Sequence, residues 1–252
     1  MKLLKGEEEE RPVIRPRKAK IIGVFSCKGG VGKTTTVVNL AAHLTKKLGN
    51  ENVLAIDANL TAPNLGIHLG ELGPKKTIHD VLSYRISIRD AILKCKGISV
   101  ILGSIAFGEE IHLVDLRSHL EPLRSKYKVI IIDSAPGLGP EVVAAMIACD
   151  EIIVLTNPYL PTIASTLKTF TAAERYKVQI AGVIVNRVMR EPFEISSEDV
   201  RKALGWPVIS TIPEDSRVRE ATAKGVPVVM YFPESPAAQR FMKVGDYILE
   251  RL

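Results

Sequence analysis

Residues 26–35 read Ser26-Cys27-Lys28-Gly29-Gly30-Val31-Gly32-Lys33-Thr34-Thr35. Gly29, Gly30 and Gly32 leave backbone N–H groups free to wrap an anion, and a helix beginning here adds the partial positive charge of its N-terminus. Lys33, just before Thr34, stands where the lysine of a phosphate loop reaches the β- and γ-phosphates of a nucleotide. The Thr34 hydroxyl is placed to coordinate Mg2+, and Val31 and Thr35 complete the cradle. Lys28 is surplus, because the common phosphate loop has no lysine at its start. A second metal-side group is expected at the end of a neighbouring buried strand. Lys128-Val129-Ile130-Ile131-Ile132-Asp133 supplies it, an apolar run closed by a carboxylate. Asp133 is read as holding the metal through a water.

The elements that must position this loop are legible on either side of it. Residues 21–26 are apolar and strand-like, and residues 34–44 repeat at helical period. Strands are predicted over 20–26, 53–57, 98–102, 128–133, 151–156, 178–186 and 207–212. Ile130-Ile131-Ile132 and Ile152-Ile153-Val154-Leu155 are continuous β-branched or apolar runs, the pattern of parallel strands covered on both faces. Thr77 with Asp80, Ser87 with Asp90 and Ser196 with Asp199 read as capping boxes, and Pro140 as the first residue of a helix. The alternation predicts a doubly wound α/β fold, a mainly parallel sheet with helices on both faces and ligands at the carboxyl ends of its strands. One domain over 19–252 follows a flexible charged extension over 1–18.

Lys28-Gly29-Gly30-Val31-Gly32-Lys33-Thr34-Thr35 also resembles the deviant Walker A motif of the ParA/MinD ATPases. The resemblance covers about residues 19–250. It implies that Lys28 reaches across a dimer interface to the partner's nucleotide. The family motif usually begins with Gly where this chain has Cys27. Residues 133–139 look like the second switch loop of that family, and residues 57–66 are similar to its first switch, Asp-x-Asp…Asn-Leu. Here the second acidic position is Asn59. In the family that carboxylate polarises the attacking water; an amide can orient water but cannot accept its proton. ATP binding is expected with slow hydrolysis, with Asp57 serving the metal shell or the water. The alternative for Asn59 is a turn residue. The family's Asn-Arg and Pro-Glu turns imply adenine contacts from Asn186, Arg187, Pro213 and Glu214; the alternative for Arg187 is a solvated strand end. The function implied is an ATP- and Mg2+-dependent dimerising switch in positioning or partitioning, cell division or chromosome, with an activator or adaptor protein as partner. An ATP-locked scaffold is the alternative. An Mrp-type iron–sulfur carrier would need a Cys-x-x-Cys pair in the C-terminal half, and none exists.

Composition sets the remaining bounds. At 252 residues, 46% hydrophobic and 25% charged, the chain is a soluble globular type. No apolar run reaches the roughly 18 residues of a membrane span. Cys27, Cys95 and Cys149 are odd in number and widely spaced, which implies a reducing, cytoplasmic setting. Gln occurs only at 179 and 239 beside abundant Glu, Lys and Arg, a thermophile-like balance. The net charge is +6, and residues 1–20 hold seven Lys or Arg against four Glu. The C-terminal stretch places Phe241, Val244, Ile248 and Leu252 on one helical stripe, with Lys243 and Arg251 offset by Asp246 and Glu250. It reads as a core-packing helix rather than a basic membrane anchor, which leaves non-specific DNA as the expected surface.

Overall fold

The computed structural model describes residues 18–106 and 116–252. The charged extension, apart from Lys18, lies outside the described residues. Among the described residues eight strands are formed: β1 (Lys20–Phe25), β2 (Val53–Ala58), β3 (Leu93–Cys95), β4 (Ile98–Ile101), β5 (Val129–Ser134), β6 (Glu151–Thr156), β7 (Gln179–Val188) and β8 (Val208–Pro213). They make one sheet in the order β3-β4-β2-β5-β1-β6-β7-β8, parallel except where β3 pairs antiparallel with β4 at the edge. The seven predicted strands are present, their ends displaced by at most two residues. β3 is not predicted, because three residues carry too little alternation to register.

The helices are α1 (Lys33–Leu48), α2 (Leu65–His68), α3 (Ile78–Leu82), α4 (Leu116–Leu120), α5 (Pro140–Ala148), α6 (Leu160–Arg175), α7 (Ser197–Leu204), α8 (Ser216–Ala223), α9 (Val228–Tyr231) and α10 (Pro236–Leu249). Thr77 caps α3 with a complete box: the Asp80 N–H donates to its hydroxyl, and its own N–H donates to the Asp80 carboxylate. Ser196 caps α7 by accepting from the Asp199 N–H. Ser87 is a correction. Residues 88–91 form one 3-10 turn and Ile92 is already extended on the way into β3, so no helix is there to cap. Pro140 opens α5 as predicted.

Strand alternation divides the core in two. Ile21, Phe25, Ile130, Ile132, Ile152 and Val154 pack with α5, α6 and α7, while Ile22, Val24, Val129, Ile131, Ile153 and Leu155 pack with α1 and α10. β1, β5 and β6 are thus buried on both faces, which is why their runs read as continuous. The stripe of α10 is spent in this second layer: Phe241, Val244 and Ile248 are each 1% exposed, and Leu252 lies beyond the helix end. His43 on α1 meets the Asp246 carboxylate at 2.7 Å. A Cβ on Gly245 would come within 2.4 Å of the His43 ring, so only glycine permits this approach. Among the described residues no helix is long and apolar enough to cross a membrane.

Candidate nucleotide site

The glycine-rich loop leaves β1, at the centre of the sheet, and runs into α1. Gly32 caps α1 in the left-handed region, at φ 100°. A Cβ there would also lie 2.4 Å from Asn186 Nδ2, so backbone and packing both require glycine. Lys33 is buried. Burial lowers its pKa, and the nearby Asp133 carboxylate pulls it back up. Lys28 is exposed, and its Nζ donates to Thr162 Oγ1 on α6 at 3.4 Å. One loop therefore presents one lysine inward and the other at the rim.

Asp57 and Asp133 end adjacent strands and differ in environment. The Asp57 carboxylate accepts the Asn59 N–H at 3.1 Å and the Leu65 N–H at 2.9 Å, so it ties the first switch to β2. Burial, and then the charge of Asp133, push the Asp57 carboxyl well above the usual range. Neither oxygen of Asp133 has a hydrogen-bond partner. Burial raises this carboxyl to about 6, with the Thr34 hydroxyl and the Lys33 ammonium pulling the other way. An orphaned carboxylate beside a hydroxyl is the donor set Mg2+ takes when most of its shell is water and phosphate oxygen. Among the described residues no group of three His, Cys, Asp or Glu offers an all-protein cage.

The switch loops are pinned to this centre by side chains. Asn59 is buried, its Nδ2 donating to the Ala62 carbonyl at 2.6 Å and its Oδ1 accepting the Ala62 N–H at 3.2 Å. Its amide closes the turn. Thr61 donates to the Glu141 carboxylate on α5 at 3.1 Å, which links the first switch to the helix after the second. In the second switch, the Gly137 N–H donates to the Cys27 carbonyl at 3.0 Å with φ at 88°.

Beside the loop opens a cleft of about 440 Å³, into which Asn186, Arg187, Pro213 and Glu214 converge. Asn186 is buried and donates to the Val31 carbonyl at 2.8 Å. Arg187 takes φ 61° where the β7–β8 register shifts, and donates to Glu214 at 2.7 Å. Arg219 on α8 holds the other Glu214 oxygen at 2.6 Å. Arg187 is thus paired with Glu214 while remaining exposed at the strand end.

Comparison with known proteins now decides the family. A family described as an AAA domain matches residues 19–175. The chain is 35% identical to an uncharacterized ATP-binding protein of Methanocaldococcus jannaschii, over 90% of this chain and 87% of the relative. It is 34% identical to the septum site-determining protein MinD of Synechocystis sp., over 84% and 82%. The solved structure of the septum site-determining protein MinD complexed with Mg-ADP from Pyrococcus horikoshii superposes with a TM-score of 0.86 at 33% identity, over 91% of this chain and 96% of that one. The chain belongs to the ParA/MinD family of ATPases. A second family, 4Fe-4S cluster-binding proteins of the NifH/frxC type, matches residues 147–252. That stretch of this ParA/MinD protein holds one cysteine, Cys149. It is buried, its thiol donates to the Ala145 carbonyl at 3.1 Å, and burial pushes its pKa far up. A cluster finds no exposed thiolate there.

Several cleft residues lie outside the family's motifs. His68 on α2, Arg219 on α8 and Phe241 on α10 all face the cleft. Each belongs to an amphipathic stretch with no chemical signature, and only the closure of α2, α8 and α10 over the loop brings them in. His68 donates from Nδ1 to the Asn64 carbonyl at 3.0 Å, which leaves Nε2 to accept from the Thr35 hydroxyl at 3.3 Å.

Proposed function

We propose that the chain is an ATP-dependent dimerising switch that hydrolyses ATP slowly to ADP and phosphate and serves intracellular positioning or partitioning. The observation that carries this reading is the division between two lysines of one loop. Lys33 is buried beside Asp133, on the side of its own nucleotide's phosphates. Lys28 stands exposed at the rim, held by a single long hydrogen bond among the described residues, and is free to turn to a nucleotide on a second copy. In this reading two subunits face each other across two ATP molecules. The septum-site role in the name of the MinD relative supports positioning as the setting.

Thr34 and Asp133 would hold Mg2+, which when bound neutralises charge on the β- and γ-phosphates. Asp57 anchors the first switch through both its oxygens, and their remaining lone pairs can still serve the water shell of the metal. Asn59 must leave Ala62 before it can orient a water, and it cannot take the water's proton, so turnover is slow. With Nδ2 spent on Val31, Asn186 keeps Oδ1 as an acceptor for the 6-amino group of adenine, where guanine presents an oxygen. The turn at Pro213 and Glu214 closes over the base. The partners in this reading are a second copy and an activator or adaptor protein in the cytoplasm, with DNA rather than membrane as surface.

Size exclusion with Mg–ATP against Mg–ADP, coupled to phosphate release, tests this. A dimer only with ATP and slow release are expected; a monomer in both sinks the reading. An ATP dimer with no release at all establishes the ATP-locked scaffold, which the closed amide of Asn59 favours as the second reading.

A further inference from the structure

The first switch has a third buried anchor outside every motif. His79, on α3, is 1% exposed. Its Nε2 lies 2.9 Å from the Leu60 carbonyl, which can only accept. Its Nδ1 lies 3.0 Å from the Ser104 N–H, which can only donate. These two partners assign the ring as the tautomer in which Nε2 carries the proton and Nδ1 the lone pair. The Leu60 carbonyl belongs to the residue after Asn59. The ring therefore braces the switch from behind, while Asp57 fixes its two ends and Asn59 closes its turn. A Cβ on Gly103 would come within 2.5 Å of Pro63 and 3.2 Å of the His79 ring, so the exit of β4, the ring and the switch are packed without slack.

We propose that His79 is a positioning residue for ATP hydrolysis: as the neutral Nε2–H imidazole it clamps the Leu60 carbonyl to the Ser104 amide and so fixes where Asn59 meets the attacking water. This rests on the hydrolysing switch proposed above. The clamp also makes the switch sensitive to acid. Protonated His79 would present an N–H to the N–H of Ser104, and that bond would be lost. Burial lowers the pKa of His79; the Leu60 carbonyl and the carboxylates of Asp80 on α3 and Glu141 on α5 favour the charged form, and burial prevails. The neutral clamp is thus complete above the ordinary histidine value of about 6.5, and it opens as pH falls below it. Nucleotide affinity is affected little, because the partners of His79 given above, Leu60 and Ser104, lie outside the glycine-rich loop.

Long-range 15N–1H spectra of the full chain at pH 7.5 should show His79 as the Nε2–H tautomer. A Nδ1–H tautomer or a charged ring at that pH overturns the proposal. His79→Ala should lower kcat for phosphate release about tenfold or more, since a small misplacement of reacting groups costs up to about 10²-fold. KM for ATP should stay within about threefold. His79→Gln, which can still donate to Leu60, should recover most of kcat and lose the acid-sensitive loss of protection at residues 59–65, read by amide exchange between pH 7.5 and 5.5. Unchanged kcat in His79→Ala, or a rise in KM matching the fall in kcat, overturns it. If the wild type releases no phosphate, the hydrolysis reading fails by itself, and the tautomer and exchange measurements still judge the clamp. They also judge it should His79→Ala not fold, because both are made on the wild type and on His79→Gln.

Discussion

Asp57 and Asp133 stand opposite each other in the parallel pair β2–β5, both fully buried, and only Asp57 has hydrogen-bond partners. The same residue type in the same layer therefore does two jobs. Asp57 accepts two backbone N–H groups of a loop, and Asp133 lies buried beside Lys33 and Thr34 with neither oxygen hydrogen-bonded.

The contrast predicts unequal effects of one substitution. A buried carboxylate without a partner is costly unless it binds a proton or a cation. Asp133→Asn should stabilise the nucleotide-free chain at pH 8 and abolish Mg2+-dependent phosphate release. Asp57→Asn loses an acceptor for one of two backbone N–H groups, a cost of about 1–3 kcal/mol, which offsets the relief of its own raised carboxyl, so it should gain less at pH 8 than Asp133→Asn. The pH dependence has a definite sign. The Asp133 carboxyl is raised to about 6, so the fold favours its protonated form, and that stability is lost as pH rises from about 4 through the folded value. The advantage of Asp133→Asn should grow across this interval and vanish with Mg–ADP. Urea unfolding at pH 4, 6 and 8 measures it. An Asp133→Asn chain that is less stable at pH 8 refutes the assignment.

The two lysines should separate binding from assembly. Lys33→Ala should abolish measurable ATP affinity, since it removes the charge beside the β- and γ-phosphates. Lys28→Ala should keep monomer affinity within about twofold, because an exposed side chain with one weak contact adds little, but should form no ATP dimer. Isothermal titration gives the first result and size exclusion the second. A normal ATP dimer from Lys28→Ala would show that Lys28 does not cross to a second copy.

The phosphate loop, Asp133 and seven strands are legible in the sequence because their signals are local: glycines at fixed offsets, an apolar run ending in a carboxylate, β-branched segments. Asp57 and Asn59 were legible as positions but not as contacts. Nothing in Asp57–Gly66 says that Leu65 N–H returns to Asp57 or that Ala62 occupies both ends of the Asn59 amide. His79 and Arg219 were not legible at all, and Phe241 was legible as a core residue but not as a cleft residue. Each is an unremarkable member of a helical pattern, and its meaning comes from partners 19 and 25 residues away for His79 and from closure over the cleft for the others. Tertiary placement carried that information, and single-sequence periodicity does not encode it.

Asn59→Asp should act in two directions. It restores a carboxylate that can accept a proton, which commonly contributes about 10²–10⁴-fold, and phosphate release should rise. It also removes the donor to the Ala62 carbonyl, a buried turn bond worth about 1 kcal/mol, so the melting temperature should fall. The expected variant is faster and less stable. A wild type that outpaces Asn59→Asp in phosphate release would mean that the missing carboxylate does not limit hydrolysis.

The surface used by the ATP state follows from where the apolar stripe of α10 goes. A membrane-binding helix must keep its apolar face free and its polar face basic. Here Phe241, Val244 and Ile248 are packed into the layer beside α1, and Phe241 also lines the nucleotide cleft. Inserting them into lipid would unpack the site they support. The polar face carries Asp246, already engaged by His43. Binding to a charged surface then falls to lysines and arginines, of which the chain has 34 against 28 acidic residues. We expect weak, sequence-independent DNA affinity, stronger with ATP than with ADP. Three phosphate contacts would make it fall about 40-fold between 50 and 200 mM salt. Anionic liposomes with Mg–ATP should leave the protein in the supernatant. Co-sedimentation with liposomes and no shift of DNA at 50 mM salt would reverse the assignment and require α10 to detach from α1.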